Sequence, residues 1–212
     1  YFDHFVGEAS YWLPPDNFQV SHQNGLALRT SPTNIGLYLV SVLSAHDFGY
    51  LTLDEVTQKL TRTMETIHKL ERHEGHLLNW YDVQTLAPLK PRYVSTVDSG
   101  NLLGALWTLN RGLESLMQGP LLDAQALAGL HDAGEVLRQI VREERCSGLD
   151  VHALDDLLLA WESPPDSFRD LLRFLRRTES NTRRLSEKAS GSSGEQGNVT
   201  YWAGQVQRQL AA

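Results

Sequence analysis

The sequence predicts an all-α fold built from antiparallel helical hairpins. Apolar residues recur every three or four positions through most of the chain, which is the period of a helix packed on one side. Capping residues precede these stretches, and glycine or Gly-Pro follows several of them. The predicted helical pairs also recur at a coarse spacing of roughly 40–50 residues, which suits a helical array or a toroid. Residues near 76–92 break the pattern and are expected to form a short β-hairpin or an irregular loop.

Residues 1–28 are aromatic and turn-rich, and consecutive prolines at 14 and 15 exclude helix and sheet from an irregular loop at 13–17. Ser31 is a natural N-cap and Pro32 a natural first helical residue, so a buried helix is expected from there to about His46. The segment Thr52–Glu55 has the spacing of a capping box and predicts a second helix to about His73, ended by Gly75.

The next segment reads as a strand over 77–82, followed by a turn and return over 83–86. Ser95 or Thr96 then caps a third long helix that ends near Gln118 before a Gly-Pro pair. Further helices are predicted over about 123–145, 150–162, 166–186 and 198–211, with Asp150 and Asp166 as caps. We expect one helical domain over 1–212, with a flexible polar linker at 187–197.

Composition excludes several classes of function. The chain has 212 residues and a net charge of -7, which disfavours nucleic acid as a partner. No apolar run reaches the roughly 18 residues of a membrane span, so we expect no membrane contact by this segment. The arginine-rich stretches around 173–177 and 183–184 are interpreted as solvated helix faces. Cys146 has no features of a nucleophile, and the histidines, of which His68, His73 and His76 come closest together, have no metal-site spacing. We expect neither a metal nor a cofactor.

The segment from Trp80 to Leu103 is the main candidate for function. It holds aromatic, acidic and amide side chains between two long helices, whereas a plain connector needs only turn residues. Aromatic rings can cover the apolar faces of a sugar, and carboxylates and amides can hold its hydroxyls. Asp82 and Asp98 are the candidate acid pair for glycosidic chemistry. A turn would equally explain Asp82, and the first turn of a helix would equally explain Asp98.

Two other features call for a partner. Arg92 precedes a helix N-terminus, where its charge opposes the helix dipole, so an acidic or ligand partner is expected. A second polar group surrounds the start of the helix at Pro32. Caps explain Ser31 and Thr30, whereas local rules leave Arg29 and Asn34 unexplained.

The strings 12–17, 29–39, 79–82 and 91–102 resemble the central region of bacterial cyclic β-1,2-glucan synthases, in the same order and spacing. The resemblance covers about residues 11–108 strongly and Tyr201–Ala203 weakly. It implies part of a very large protein anchored in the bacterial inner membrane, on its cytoplasmic side. The family's central region resembles glucoamylase-like (α/α)6 toroids, of which this chain would form roughly half.

The resemblance also implies a role in cyclising linear β-1,2-glucan by retaining transglycosylation. The family's catalytic Glu residues follow the Tyr-Trp-Ala helix, in motifs that this chain lacks, so no catalytic residue is assigned and the isolated chain is expected to be inactive. Thr30 carries over as scaffold. The expected substrate-binding residues are Asp16, Asn17, Arg29, Asn34, Trp80, Tyr81, Asp82, Arg92, Tyr93, Asp98, Ser99 and Asn101.

The expected partners are β-1,2-glucan and the remainder of the parent polypeptide, or a second copy of the isolated chain. Two alternatives remain open. One is an autonomous β-glucan hydrolase that uses Asp82 and Asp98. The other is a non-catalytic helical interaction module, in which the same residues are caps and core and in which Trp80 and Tyr81 lie away from any cleft.

Overall fold

A computed structural model of the chain describes residues 1–21, 25–119, 124–143, 151–162, 167–190 and 197–211. The predicted all-α class with a short hairpin is confirmed. The helices are α1 Phe2–Phe5, α2 Pro32–Asp47, α3 Leu53–Lys69, α4 Thr96–Gln118, α5 Ala124–Glu143, α6 Val151–Glu162, α7 Phe168–Ser190 and α8 Gly197–Ala211. The strands are β1 Arg29–Thr30, β2 Arg72–His73, β3 His76–Leu77 and β4 Tyr81–Asp82.

The contacts within the chain form two compact units. Unit 1 comprises Tyr1–Ala45 and Leu53–Leu121, and unit 2 comprises His46–Thr52 and Leu122–Ala212. None of the helices in the described ranges is both long and apolar enough to cross a membrane.

The buried residues of unit 1 come largely from α2 and α3. Helix α2 is apolar on most sides and is buried along most of its length, as predicted, with Leu37 as an exposed exception. Helix α3 is amphipathic and buries Val56, Leu60 and Ile67 at helical spacing, while its charged residues face solvent. Leu13, from the irregular N-terminal segment, is also fully buried. The predicted starts of both helices agree with the structure to within one residue.

Helix α4 begins where the sequence predicts, because Ser95 is its N-cap and accepts a hydrogen bond from the Asp98 amide. Its contact with α2 is close at Gly36, where an added Cβ would lie 2.8 Å from the Cβ of Ala105. Although α4 is rich in leucine, Leu109 is its one buried residue, and Leu103 and Trp107 are each 66% exposed.

The segment between α3 and α4 differs from the predicted strand over 77–82. Helix α3 ends at Lys69, and β2 and β3 form a hairpin in which Arg72 pairs with Leu77. Glu74 and Gly75 both have positive φ, as a two-residue hairpin turn of the primed type requires, so Gly75 forms this turn and does not end the helix. β4 instead pairs with β1, with Arg29 opposite Asp82, and the return over 83–86 is as predicted.

Unit 2 is a helical assembly with its own apolar core. Helix α5 packs against α6 and α8, and α7 packs against α8. The core residues are Leu130, Ala133, Leu137, Val141, Leu154, Leu157, Leu158, Trp161, Val199, Ala203 and Val206. The Gly49 carbonyl accepts a hydrogen bond from the Gln209 side chain, which ties the segment 46–52 to this unit.

Several predictions fall on residues outside the described ranges: Cys146, the caps Asp150 and Asp166, and most of the linker at 187–197. Within that linker, α7 continues through Ser190 and α8 begins at Gly197.

Candidate functional site

Asp16 organises a polar group at the start of α2. Its Oδ2 accepts hydrogen bonds from Nε (3.2 Å) and Nη2 (3.0 Å) of Arg29 and from Nδ2 of Asn17 (3.0 Å). Its Oδ1 accepts from Nδ2 of Asn34 at 3.0 Å. The second polar group predicted from the sequence is therefore one hydrogen-bonded cluster, with Asp16 as the shared acceptor.

Arg29 connects this group to Trp80. Its guanidinium lies over the indole ring, with Cζ 4.4 Å from the ring centroid, which is cation–π geometry. The pairing of β1 with β4 brings the two residues together, because it joins the segment before α2 to the segment that follows Trp80. The Arg29 side chain remains 49% exposed, so its charge is available at the surface.

Asn79 holds Trp80 in position from the inner side. Only one orientation of its side-chain amide gives hydrogen-bond partners to both the oxygen and the nitrogen. In that orientation Oδ1 accepts from Trp80 Nε1 (2.6 Å) and from the Tyr93 hydroxyl (2.7 Å), and Nδ2 donates to Asp98 Oδ2 (2.9 Å). Asn79 is 4% exposed, and buried amides need such partners. It therefore links the indole, the phenol and the carboxylate.

Asp98 lies where the N-terminal ends of α2 and α4 meet. Ser95 donates to its Oδ2 at 2.5 Å, and Ser31 and Thr33 supply further hydrogen bonds. Partial burial alone would raise the pKa of Asp98, but the donors from Ser95, Thr33 and Ser31 together outweigh burial and hold this pKa below its ordinary value. Asp98 is therefore stabilised as a carboxylate.

We call this set of residues the Trp80 cluster: Asp16, Asn17, Arg29, Asn34, Asn79, Trp80, Tyr93 and Asp98. It brings together the two polar groups that the sequence predicts separately. Asn101 belongs to its edge, since its Nδ2 donates to Thr33 Oγ1 at 3.0 Å. Tyr93 is 45% exposed, so its ring is accessible at the same edge.

The Asp82 side chain stabilises the turn that follows β4. Its Oδ1 accepts from the amides of Gln84 (2.9 Å) and Thr85 (2.8 Å) and from the Thr85 hydroxyl (3.0 Å), which closes the turn after β4. Partial burial would raise the pKa of Asp82, but the hydrogen bonds from Thr85 and Gln84 outweigh it and lower this pKa. A glycosidic acid needs a raised pKa, and neither Asp82 nor Asp98 has one.

Tyr81 lies in the core of unit 1. Its side chain is 0% exposed. Its hydroxyl donates to the Glu71 carbonyl (2.6 Å) and accepts from the Leu78 amide (2.7 Å). Burial raises the pKa of this phenol, which the Leu78 hydrogen bond and the Arg72 charge partly offset. Tyr81 therefore supports the segment that carries Trp80 and offers no ring face to a ligand in this conformation.

Arg92 has the acidic partner that the sequence requires. It forms an ion pair with Glu71, with both side chains half-exposed. This pair joins the residue before β2 to the segment before α4 and gives Arg92 a partner within the chain.

An apolar groove of about 430 Å³ lies on unit 1 beside the start of α4. Ser99 lines this groove rather than joining the Trp80 cluster. The apolar lining includes Pro32, Met64, Ile67, Leu77, Leu102, Leu103 and Leu106, and the polar lining includes His68, Arg72 and His76. Within the described residues, no three His, Cys, Asp or Glu side chains converge to form a candidate metal site.

Sequence reasoning missed Asn79 as a site residue, and missed that Ser31 and Thr33 face Asp98. One signal for Asn79 was present, because an amide between Leu77–Leu78 and Trp80 is expected to be buried and therefore to need partners. The approach of Ser31 and Thr33 to Asp98 depends on how α2 packs against α4, which local sequence does not determine.

The chain is similar to the cyclic β-(1,2)-glucan synthase NdvB of Rhizobium meliloti (strain 1021), with 44% identity over 144 residues. The match covers 68% of this chain and 5% of the relative. No protein-family model matches the sequence. The similarity supports the predicted resemblance: the chain is related to a short segment of a glucan synthase.

Proposed function

We propose that the chain contributes carbohydrate-binding and scaffold residues to the glucan-cyclising region of a cyclic β-1,2-glucan synthase. The relation to a glucan synthase supports this assignment, because the match extends over 144 residues at 44% identity. The ligand proposed for unit 1 is a linear β-1,2-glucan. The chain itself carries no catalytic residue in this proposal.

The Trp80 cluster is the observation that carries the proposal. A half-exposed guanidinium and an indole lie beside two carboxylates, three amides and a phenol, and all of these are fixed by mutual hydrogen bonds. The indole edge and the Tyr93 ring offer apolar surface to a glucose ring, while Arg29, Asp16 and Asn17 offer donors and acceptors to its hydroxyls. A surface held in position in this way loses little side-chain entropy when a ligand binds.

The chemistry of the carboxylates supports binding rather than cleavage. The pKa values of Asp82 and Asp98 are both lowered, which disfavours either as the proton donor that glycoside hydrolysis requires. This is the observation against the autonomous-hydrolase alternative. We propose that the isolated chain is inactive and that the catalytic groups lie on another part of the parent.

The exposed side of α4 supports the proposal that the chain is roughly half of an (α/α)6 toroid. Three residues, which we call the α4 apolar face, lie within about a third of the helix circumference. These are Val97, Leu103 and Trp107, exposed by 70%, 66% and 66%. Contiguous apolar surface of this kind is usually covered by a partner. The partner proposed is the remainder of the parent polypeptide or, in isolation, a second copy.

The parent of this segment is proposed to be anchored in the bacterial inner membrane, with this segment on the cytoplasmic side.

Calorimetric titration with linear β-1,2-glucan tests the proposal. The chain is expected to bind, and Trp80→Ala is expected to weaken binding by about two- to tenfold, since aromatic stacking contributes roughly 0.5–1.5 kcal/mol and the variant also frees Arg29. Tyr201→Ala, which removes another exposed ring in unit 2, is the matched control and should bind like the parent chain.

Three outcomes discriminate the alternatives. Equal affinity of the unmodified chain and the Trp80→Ala variant for the glucan would exclude the Trp80 cluster as the sugar site. The absence of any heat of binding, with both proteins folded, would favour the interaction module. Release of reducing sugar by the isolated chain, abolished by Asp98→Asn, would restore the hydrolase.

A further inference from the structure

Five arginines of α7 lie on one side of that helix. At 100° per residue, their positions fall within an arc of about 120°. The five are Arg169, Arg173, Arg176, Arg177 and Arg183, and all are exposed. We call them the arginine face. The chain as a whole has a net charge of -7, so the arginine face is a local reversal of sign.

The opposite side of α7 is fixed against the rest of unit 2. Thr178 and Thr182 are 2% and 3% exposed, and Phe174 packs against the apolar core. These residues lie about 120–200° from the centre of the arginine face. The packing of α7 on α8 therefore holds the arginine face outward.

The arginine charges are weakly engaged within the protein. Arg173 pairs with Asp170, and Arg183 pairs with Glu179, but Arg173 and Arg183 remain 71% and 59% exposed. Exposed pairs within one helix contribute only a few tenths of a kcal/mol. Arg169, Arg176 and Arg177 form no ion pair with any residue in the described part of the chain. The charges are therefore free to meet an external anion.

We propose that the arginine face docks on an anionic phospholipid surface. The face is a single convex row about 21 Å long, from Arg169 to Arg183, which a plane of headgroups can contact along its whole length. Clusters of four to eight basic residues on an amphipathic helix are typical of such contacts. Leu172, at the edge of the face, is 39% exposed and can enter the headgroup layer. A nucleic-acid partner is less suited, because it favours a broader basic surface on a basic domain.

This proposal revises the expectation that the segment makes no membrane contact. That expectation rests on the lack of a long apolar run, which excludes a spanning helix but does not address a helix that lies on the surface. The membrane-docking proposal is independent of the proposed sugar site, which lies in unit 1.

Cosedimentation of the full chain with vesicles tests the proposal. Vesicles of phosphatidylcholine containing about 30% phosphatidylglycerol should bind the chain at about 0.1 M salt, and binding should fall steeply at about 0.5 M. The double variant Arg176→Gln/Arg177→Gln should lose affinity about 25-fold, or about fivefold for each arginine. Glutamine preserves helix propensity, so α7 should remain folded by circular dichroism.

The matched control is Arg62→Gln/Arg111→Gln, which removes the same charge from exposed positions of unit 1. Its affinity for the vesicles should lie within about twofold of that of the unmodified chain, because the lost charges lie outside the docking face. An equal loss of vesicle affinity in both double variants would overturn the proposal. Binding to pure phosphatidylcholine vesicles that equals binding to the anionic vesicles would overturn it too. Binding to single-stranded RNA that the Arg176→Gln/Arg177→Gln variant abolishes, without binding to anionic vesicles, would assign the face to nucleic acid instead.

Discussion

The carboxylate of Asp98 connects the beginnings of two helices, and its charge should therefore contribute to stability. Its pKa is lowered from the ordinary value of 3.8, so its contribution is complete above that value and is lost as the pH falls through the lower, folded-state pKa. At neutral pH, Asp98→Asn should destabilise the α2–α4 contact by about 1–3 kcal/mol, because charge-assisted hydrogen bonds are lost.

Hydrogen exchange of the α2 and α4 amides measures this effect, since it reports unit 1 without the rest of the chain. The difference between Asp98→Asn and the unmodified chain should shrink below pH 3.8, as the pH falls towards the lowered pKa at which the folded-state carboxylate takes up a proton. Asp156→Asn, at an exposed position of unit 2, is the control. A difference that stays constant from neutral pH to about pH 2 would contradict the role given to the charge.

The individual site residues differ in how far sequence could reveal them. Arg29 and Asn34 could be identified from sequence because no local capping or turn rule explains them. Asp16 belongs to the same predicted polar group. Tyr81 was not distinguishable from a ligand-binding aromatic, because burial depends on the tertiary pairing of β4 with β1. Asn79 could be expected from sequence to be a buried amide, but its three hydrogen-bond partners are revealed only by the structure.

The α2–α4 contact depends on a glycine. An added Cβ at Gly36 would lie 2.8 Å from Ala105 Cβ, and both backbones would have to move apart. Gly36→Ala should therefore destabilise unit 1 by about 1–3 kcal/mol, as overpacking typically does. The measurement is urea unfolding followed by the exchange of unit 1 amides.

Gly104→Ala is the matched control, because it makes the same substitution in a helix where nothing lies within 4 Å of the new Cβ. It should stabilise α4 by about 0.5–1 kcal/mol through helix propensity alone. If both substitutions stabilised unit 1, the close approach at Gly36 would not exist in solution.

The helices were largely predictable because their ends carry local signals. Ser95 caps α4, and Ser31 accepts from the Asn34 amide at the start of α2, both as the sequence predicts. The strands were less predictable, because β4 exists through its pairing with β1, some 50 residues away. A continuous strand over 77–82 satisfied local pattern, but two different partners divide it into β3 and β4.

The α4 apolar face predicts how the chain behaves in solution. Leu103 and Trp107 together present a large exposed apolar area, which favours self-association when no other partner is present. The double variant Leu103→Gln/Trp107→Gln should lower the apparent mass towards that of the monomer. Light scattering over a range of concentrations measures this.

Leu159→Gln, which removes an exposed leucine from α6 in unit 2, should leave the apparent mass unchanged. Large exposed apolar patches mark interaction sites. An unmodified chain that stays monomeric up to about 100 µM would therefore contradict the proposal that the α4 apolar face needs a partner.

The central claim is that the Trp80 cluster binds glucan, and the indole N–H signals of the chain test it most directly. The chain has five tryptophans, and Trp80→Phe assigns the signal of Trp80. Its Nε1 donates to Asn79, so its resonance should respond to a ligand that contacts the cluster. Titration with linear β-1,2-glucan should shift the Trp80 signal selectively, while a β-1,3-glucan of equal length should shift it less. A Trp80 signal that stays unchanged at saturating β-1,2-glucan would contradict the account.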